Sequence, residues 1–339
     1  MDPLIVYGPQ LQIRRYARRK IPCVIPSEAR DLLFRKYFAR CELKTVLHRI
    51  TRRCSAALFL SAALAAAPAP HPAQSPASTA QNPAPPSKSL FAQSAVKLLT
   101  REFPDPGISF LLLDAQTGAL LTSRWDDPQK PIPLGSLVKP FTALAYASQH
   151  DYEFPEHICR GYASGCWQAH PHGKLDLVSA IAYSCNSYFR TLAATLTGEQ
   201  LLPITQQFRI EPPDATLTGP PLIGLGDQWR ISPLKMAHAY LELIRRREQP
   251  TVREILAGMA QASAYGTGSA VGRALRHSDA LVKTGTAPCT HPRHAPGDGF
   301  TIAMVPASQP ELLLLVRVHS VPGATASITA ARMLARLEQ

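Results

Sequence analysis

Acidic residues are scarce in this chain. Its 339 residues hold 24 Asp+Glu against 36 Lys+Arg, a formal net charge of +12. Such an excess of base raises a nucleic-acid partner. Its distribution excludes one. Residues 1–53 carry 13 Lys+Arg and 4 Asp+Glu, a net of +9, while the remainder carries 23 and 20, a net of +3. The basicity belongs to the front end, not to the folded body. The front end also has no apolar run of the roughly 20 residues a membrane-spanning helix needs. Its most apolar stretch, Cys54 to Ala67, is 14 residues long. Methionine is absent between Met1 and Met236, so a start just downstream of Met1 would require a non-Met codon.

What is there at the front reads as an export signal. Lys44 to Arg53 is a basic leader, and Cys54 to Ala67 is a short apolar segment ending in small residues. Residues 1–42 are expected to be a non-native or disordered extension, with an ordinary signal starting near Leu43 or Val46. A genuine disordered basic tail is the competing reading. Residues 43–67 form a signal peptide or an anchor. Pro68 follows Ala65-Ala66-Ala67 and disfavours cleavage there, so residues 54–67 could hold the protein at the inner membrane. Residues 68–89 are a Pro/Ala-rich linker with seven prolines from Pro68 to Pro86, a stiff unfolded spacer. Residues 90–339 are the folded body, expected in the periplasm or another extracytoplasmic compartment.

Export changes how cysteines read. The body contains Cys159, Cys166, Cys185 and Cys289. Cys159 and Cys166 close a short loop and are expected to form a disulfide. The rival is a metal site drawn from Cys159, Cys166, His170 and His172, or from Cys289, His291 and His294. Those spacings are not those of familiar zinc modules. The expectation is therefore no metal and no cofactor, with plain loop histidines.

The body alternates helical and strand patterns. Ser89 to Arg101 has apolar residues at helical spacing. Ile108 to Asp114 and Ala119 to Ser123 flank Ala115-Gln116-Thr117-Gly118 and read as a hairpin. Leu281 to Ala287, Phe300 to Val305 and Leu312 to His319 read as further strands, and Ala324 to Leu337 as a terminal helix. The Leu312 strand is apolar through five successive residues, as expected of a strand covered on both faces.

Chemistry enters with Gly135-Ser-Leu-Val-Lys-Pro-Phe-Thr142. Residues i and i+3 on a helix share a face, so Ser136 and Lys139 are placed as nucleophile and activating base. A helix start also turns free N–H groups toward a developing oxyanion. The spacing alone is weak. With 23 Ser and 10 Lys in the chain, on the order of one Ser-x-x-Lys arises by chance. Three occur: Ser94/Lys97, Ser136/Lys139 and Ser232/Lys235. Ser94/Lys97 sits on a helix that reads as packing. Ser232, followed by Pro233, reads as a helix N-cap. Ser94 also precedes the first hairpin, and Ser232 follows the lone Ser-x-Asn at Ser184 and Asn186, which leaves Ser136/Lys139 to head the order that continues through Ser184-x-Asn186 to Lys283-Thr284-Gly285 on a strand. Lys-Thr-Gly by chance is on the order of a tenth or less in a chain of this size.

This ordered triple marks serine penicillin-binding enzymes and β-lactamases, and residues from about 107 to 339 resemble the transpeptidase domain of class B penicillin-binding proteins. Asp114-Ala-Gln-Thr-Gly118, His172-Gly173, Ser184-Cys-Asn-Ser-Tyr-Phe189, Gly224-Leu-Gly-Asp227, Ser232-Pro-Leu234 and Tyr265-Gly-Thr-Gly268 fall in that family's order. The resemblance implies an α+β fold, β-lactamase/transpeptidase-like, with a five-stranded antiparallel sheet flanked by helices plus an all-helical lobe. It implies that Ser136 attacks a D-Ala-D-Ala carbonyl or a β-lactam and that Lys139 takes its proton. Ser184 would relay a proton to the leaving amine, Asn186 would orient Lys139, and Lys283 would hold Ser184. Thr284, Gly285 and Thr286 would bind substrate, with the backbone N–H groups of Ser136 and Thr286 forming the oxyanion hole. The partners implied are peptidoglycan stem peptides, with β-lactams as covalent inhibitors. Protein partners in the cell wall are not specified. The chain departs from the family at Leu137-Val138, where Thr-Phe is common, in lacking the family's pedestal domain, and in Pro288 to His294.

Two other functions compete with an acyl-serine D,D-peptidase. One is a class D-like β-lactamase or β-lactam sensor. Its second motif would end in an apolar residue, not Asn186, and no Glu-x-x-x-Asn run supplies a deacylating base. The other is a non-catalytic wall-binding relative, which the full set of catalytic side chains argues against.

Overall fold

The computed structural model describes residues 86–289 and 297–338. The chain divides into two units, Met1–Thr79 and Ala80–Gln339, and every described residue lies in the second. The expected extension over 1–42, the signal or anchor over 43–67 and most of the 68–89 linker lie outside the described residues, as do His291 and His294. Among the described residues no helix is long and apolar enough to cross a membrane.

The body is organised on the expected five-stranded antiparallel sheet. Its strands run in the order Leu120–Arg124, Ile108–Asp114, Leu312–Val318, Asp298–Val305, Leu281–Ala287. The first two form the hairpin read from the sequence. Its turn is made by the Asp114 carboxylate, which accepts from the backbone N–H of Gln116 (3.0 Å) and Thr117 (2.7 Å). Leu312–Val318 is the middle strand, which explains its unbroken apolar run. Side chains alternate across a strand, so Leu313 and Leu315 join the core on one face while Leu314 and Val316 join a second core on the other. The same alternation sends Leu111 and Leu113 one way and Phe110 and Leu112 the other.

The smaller core is closed by two helices, Pro86–Glu102 through Leu99 and Gly323–Leu337 through Met333 and Leu334. The larger core lies between the sheet and the helical lobe. That lobe includes Lys139–Gln149, Leu177–Ala182, Asn186–Ala193, Gly198–Phe208, Pro233–Arg245 and Pro250–Ala264. Phe141 anchors it, meeting Phe208 and Tyr240 edge-on with ring centroids 5.2 Å and 5.8 Å apart. The fold class expected from the motifs is the one observed.

Two local features differ from expectation. The first is the Ser136 segment, which is a 3-10 turn, Gly135–Val138; the α-helix begins only at Lys139. The second is the loop from Cys159 to Cys166. The expected disulfide is not formed, and Cys159, Cys166 and Cys185 stand as separate thiols. The loop brings a third sulfur and an imidazole to the same place. Cys166 Sγ lies 3.8 Å from Cys185 Sγ, and His172 Nδ1 lies 3.4 Å from Cys159 Sγ and 3.5 Å from Cys166 Sγ. Sequence spacing within one loop could not show that Cys185, which precedes the Asn186–Ala193 helix, would fold back onto it.

Candidate active site

The Ser136 turn is pinned from both sides. Gly135 has φ +58°, in the left-handed region, and a Cβ there would lie 2.1 Å from the Thr286 carbonyl oxygen. Only glycine permits that approach, which lays the Lys283-Thr284-Gly285 strand against the turn. Behind the turn, the buried Tyr240 hydroxyl donates to the Leu137 carbonyl at 2.8 Å. Ser136 itself is half-buried, while Lys139 one turn later is fully buried.

Ser184 and Asn186 arrive at a break between two helices. The Leu177–Ala182 helix starts from a reciprocal cap between Asp176 and Ser179. The chain then turns sharply: Ser184 has φ +49°, Cys185 is extended, and the next helix starts at Asn186. The turn aims the Ser184 carbonyl and the Asn186 side chain at Lys139. Lys139 Nζ donates to the Ser184 carbonyl and to Asn186 Oδ1, each at 2.7 Å, and lies 3.5 Å from Ser184 Oγ. From the sheet side, Lys283 Nζ donates to Ser184 Oγ at 2.8 Å and to the Thr284 carbonyl at 2.7 Å. Thr284 Oγ1 donates to Thr267 Oγ1 at 2.7 Å, and Thr286 Oγ1 accepts from the Gly323 N–H at 2.9 Å.

Two lysines with no solvent exposure therefore converge on one hydroxyl. Burial penalises the ammonium form. It brings Lys139 down from 10.5 to about 7, and Arg190 pushes the same way against opposing cysteines. Burial also pushes Lys283 well below its ordinary value, with Lys139 adding to the effect. A neutral amine has two N–H bonds and one lone pair. In that form Lys139 spends both donors on the Ser184 carbonyl and Asn186, and its lone pair stays open.

These groups share a cleft of about 100 Å³, lined by Ser136, Ser184, Asn186, Thr284, Gly285 and Thr286 among others. The structure thus brings together the two serines, the asparagine and the three-residue strand motif, with Lys139 and Lys283 directly beneath. The other two Ser-x-x-Lys pairs are elsewhere. Ser94 and Lys97 are exposed on the Pro86–Glu102 helix. Ser232 caps its helix by accepting from the Lys235 N–H at 3.3 Å, and Lys235 Nζ pairs with Glu211 at 2.7 Å. A larger groove of about 940 Å³, lined by Arg124, Trp125, Lys130 and Arg230, contains none of the catalytic candidates.

Sequence reasoning missed five wall residues: Trp167, Leu225, Thr267, Pro322 and Ala324. Thr267 meets Thr284, and its only signal was the Gly-Thr-Gly run at Gly266 to Gly268. Trp167 also lines the cleft, and its Nε1–H donates to the Tyr183 carbonyl at 3.1 Å. Nothing in the sequence singled it out. The metal set drawn from Cys159, Cys166, His170 and His172 was incomplete: His170 is exposed, and Cys185 takes its place beside the other three.

Chemically, the cleft presents the Ser136 hydroxyl, a buried amine at Lys139 lowered to about 7, and a second hydroxyl held by another buried amine. That set suits acyl transfer through a serine ester. Comparisons agree with it. The family model "Penicillin binding protein transpeptidase domain" matches residues 108–337. Among solved structures, Pseudomonas aeruginosa PBP2 in complex with WCK 5153 is 18% identical at a TM-score of 0.56, covering 74% of this chain and 73% of that one. The transpeptidase domain of Burkholderia pseudomallei penicillin-binding protein 3 is 17% identical at 0.55, covering 77% and 98%. Helicobacter pylori PBP2, solved in complex with MreC, is 16% identical at 0.59, covering 73% and 62%. At these identities the likeness is one of fold. No curated protein sequence matches the chain significantly.

Proposed function

The chain belongs to the penicillin-binding protein transpeptidase domain family, and we propose that it is an exported acyl-serine D,D-peptidase acting on the D-Ala-D-Ala ends of peptidoglycan stem peptides. The observation that carries this reading is the buried Lys139 amine, hydrogen-bonded to Asn186 Oδ1 and the Ser184 carbonyl in the cleft that Ser136 enters. Ser136 Oγ attacks the penultimate D-Ala carbonyl, and its proton passes to Lys139. Backbone N–H groups of Ser136 and Thr286 hold the oxyanion. As the C–N bond breaks, the leaving D-Ala amine takes a proton from Ser184 Oγ, which Lys283 holds at 2.8 Å and which regains its proton from the Lys139 ammonium 3.5 Å away. Thr284 and Thr286 receive the terminal carboxylate. An amine or water then resolves the ester, giving a crosslink or a trimmed peptide.

Among the described residues, no Asp or Glu lines the cleft. A β-lactam ester would therefore meet no carboxylate base to activate water, which favours a long-lived adduct over β-lactamase turnover. Residues 43–67 would direct the protein out of the cytoplasm, as signal or inner-membrane anchor.

The test is labelling of the full chain with a fluorescent penicillin, beside Ser136→Ala and Ser94→Ala. The expected result is a stable covalent label lost only in Ser136→Ala. A label that vanishes within seconds would point to a β-lactamase. A folded protein that takes no label would overturn the acyl-enzyme reading in favour of a wall-binding role.

A further inference from the structure

Behind the cleft, four side chains from separate elements point at one another. Cys159 ends a three-residue strand, His157–Cys159, which pairs with Gly173–Leu175 so that Cys159 lies opposite Gly173. That pairing brings His172 beside Cys159. Cys166 follows a 3-10 turn, Gly161–Ser164, and Cys185 is the residue before the Asn186–Ala193 helix. The three sulfurs and one ring nitrogen all lie within 4.8 Å of one another, and the three cysteines are buried.

The distances select among the fates open to such a cluster. A disulfide requires sulfurs about 2.05 Å apart and joins only two of the three. Packed thiols do not require an imidazole nitrogen aimed at two of them. A tetrahedral zinc ion with Zn–S of about 2.3 Å and Zn–N of about 2.0–2.1 Å places its ligand sulfurs about 3.8 Å apart and sulfur and nitrogen about 3.5–3.6 Å apart. The observed separations are 3.8 Å for Cys166 to Cys185 and 3.4 Å and 3.5 Å from His172 Nδ1 to Cys159 and Cys166. The other ring nitrogen, His172 Nε2, is buried without a hydrogen-bond partner. No hydrogen bond on that side therefore sets the ring. What sets it is the Tyr183 ring, stacked at 4.8 Å, and the sulfurs in front of Nδ1.

We propose that Cys159, Cys166, His172 and Cys185 bind one zinc ion, and that this ion holds the Ser184–Asn186 segment and the Trp167 wall in their working positions. Three soft sulfurs and an imidazole suit zinc over harder cations. Four protein ligands close the coordination shell, so the ion is structural and takes no substrate. Each thiol gives up its proton on coordination. Cys185 lies between Ser184 and Asn186, so fixing its sulfur fixes both neighbours. Cys166 precedes Trp167, whose indole N–H bonds to the Tyr183 carbonyl, so the same ion ties the cleft wall to the motif.

The site itself stands apart from the functional reading; only its effect on acylation rests on that reading. The experiment uses the full chain, purified without chelator and analysed for metal. One zinc per chain is expected. Exchange with Co²⁺ should give the sulfur-to-cobalt charge-transfer and tetrahedral d–d bands of thiolate coordination. Cys166→Ser and His172→Ala should lose the metal, and Cys289→Ser should keep it. Stripping with a chelator should slow β-lactam acylation about tenfold or more, the scale seen when support around a site is removed, and Zn²⁺ should restore it. Wild-type protein that contains no zinc and gives no cobalt spectrum overturns the site, as does a disulfide joining any two of the three cysteines. Zinc with unchanged acylation after stripping overturns the positioning role. Zinc in a protein that never labels leaves the site standing and removes the functional reading.

Discussion

The sharpest consequence of the buried site is a pH profile. Lys139 accepts the Ser136 proton only as a neutral amine. Burial brings it from 10.5 to about 7, a preference for the neutral form of about 5 kcal/mol at about 1.4 kcal/mol per tenfold. The neutral fraction is then about one-tenth at pH 6 and about nine-tenths at pH 8. The rate of covalent capture of a fluorescent penicillin, followed by rapid mixing between about pH 5 and pH 9, should climb roughly tenfold from pH 6 to pH 8 and level off toward pH 9. An ordinary lysine would instead give a rate still rising tenfold per pH unit at pH 9. That result, or a flat profile, would refute the assignment of Lys139 as a base tuned by burial. The same value has a consequence for stability. The folded form lies below the unfolded one, so between about 7 and 10.5 the unfolded chain holds a proton that native Lys139 has released. This group's contribution to stability therefore rises with pH across that window and falls as pH drops toward 7.

Other perturbations separate the roles of neighbouring groups. Lys283→Ala removes the 2.8 Å donor to Ser184 Oγ and should slow acylation by about a hundredfold, the lower range for losing proton-transfer assistance; a rate within twofold of wild type would remove Lys283 from the relay. Ser232→Ala loses an N-cap and its bond to the Pro128 carbonyl. It should lower stability to urea by about 1–2 kcal/mol with labelling unchanged, whereas loss of labelling in folded protein would reopen the choice among the Ser-x-x-Lys pairs. Asp298→Ala breaks a buried ion pair with Arg317 at 2.8 Å and should cost about 3–5 kcal/mol in denaturant unfolding. Burial acts to raise the Asp298 carboxyl, but Arg317 and His319 outweigh it and hold it below its usual value. The stability from this pair is therefore present above the usual carboxylate range and lost as pH falls through the folded value, so Tm should drop on acidification less in Asp298→Ala than in wild type.

Much of this was legible in the sequence, for identifiable reasons. The Ile108–Asp114 and Leu281–Ala287 strands were found to the residue, the first because the Ala115–Gly118 turn bounds it and the second because the Lys283-Thr284-Gly285 motif lies within it. The apolar run at Leu312 revealed a strand covered twice, since no single-faced strand tolerates it. The Ser136, Ser184 and Lys283 segments could be ordered because their residue types are rare in combination. What the sequence hid were contacts between segments. Thr267 and Trp167 become wall residues only through folding of the helical lobe against the sheet. The disulfide expectation failed for the same reason: proximity along the chain favoured Cys159 with Cys166, while the fold added Cys185 and His172 from outside the loop. The 3-10 form of the Ser136 turn follows from packing against Thr286 and Tyr240, which no local pattern encodes.

Ser184 shows how chemistry and backbone compete at one position. At φ +49° a side chain crowds the backbone, a strain of about 1–2 kcal/mol for an L-residue other than glycine. Glycine would relieve it, but glycine has no hydroxyl for Lys283 to hold. The strain is opposed by the capped helix before the turn, the helix after it and the two lysines that grip Ser184. This predicts an inversion of the usual preference. In a helix interior alanine exceeds glycine by about 1 kcal/mol. At Ser184 both substitutions delete the same hydroxyl and leave Lys283 equally short of its acceptor, so their difference isolates the backbone. Ser184→Gly should unfold in urea at higher stability than Ser184→Ala, by about 1 kcal/mol, while both lose acylation. An alanine variant equal to or more stable than the glycine variant would mean that the turn carries no strain, and that the serine sits there at no backbone expense.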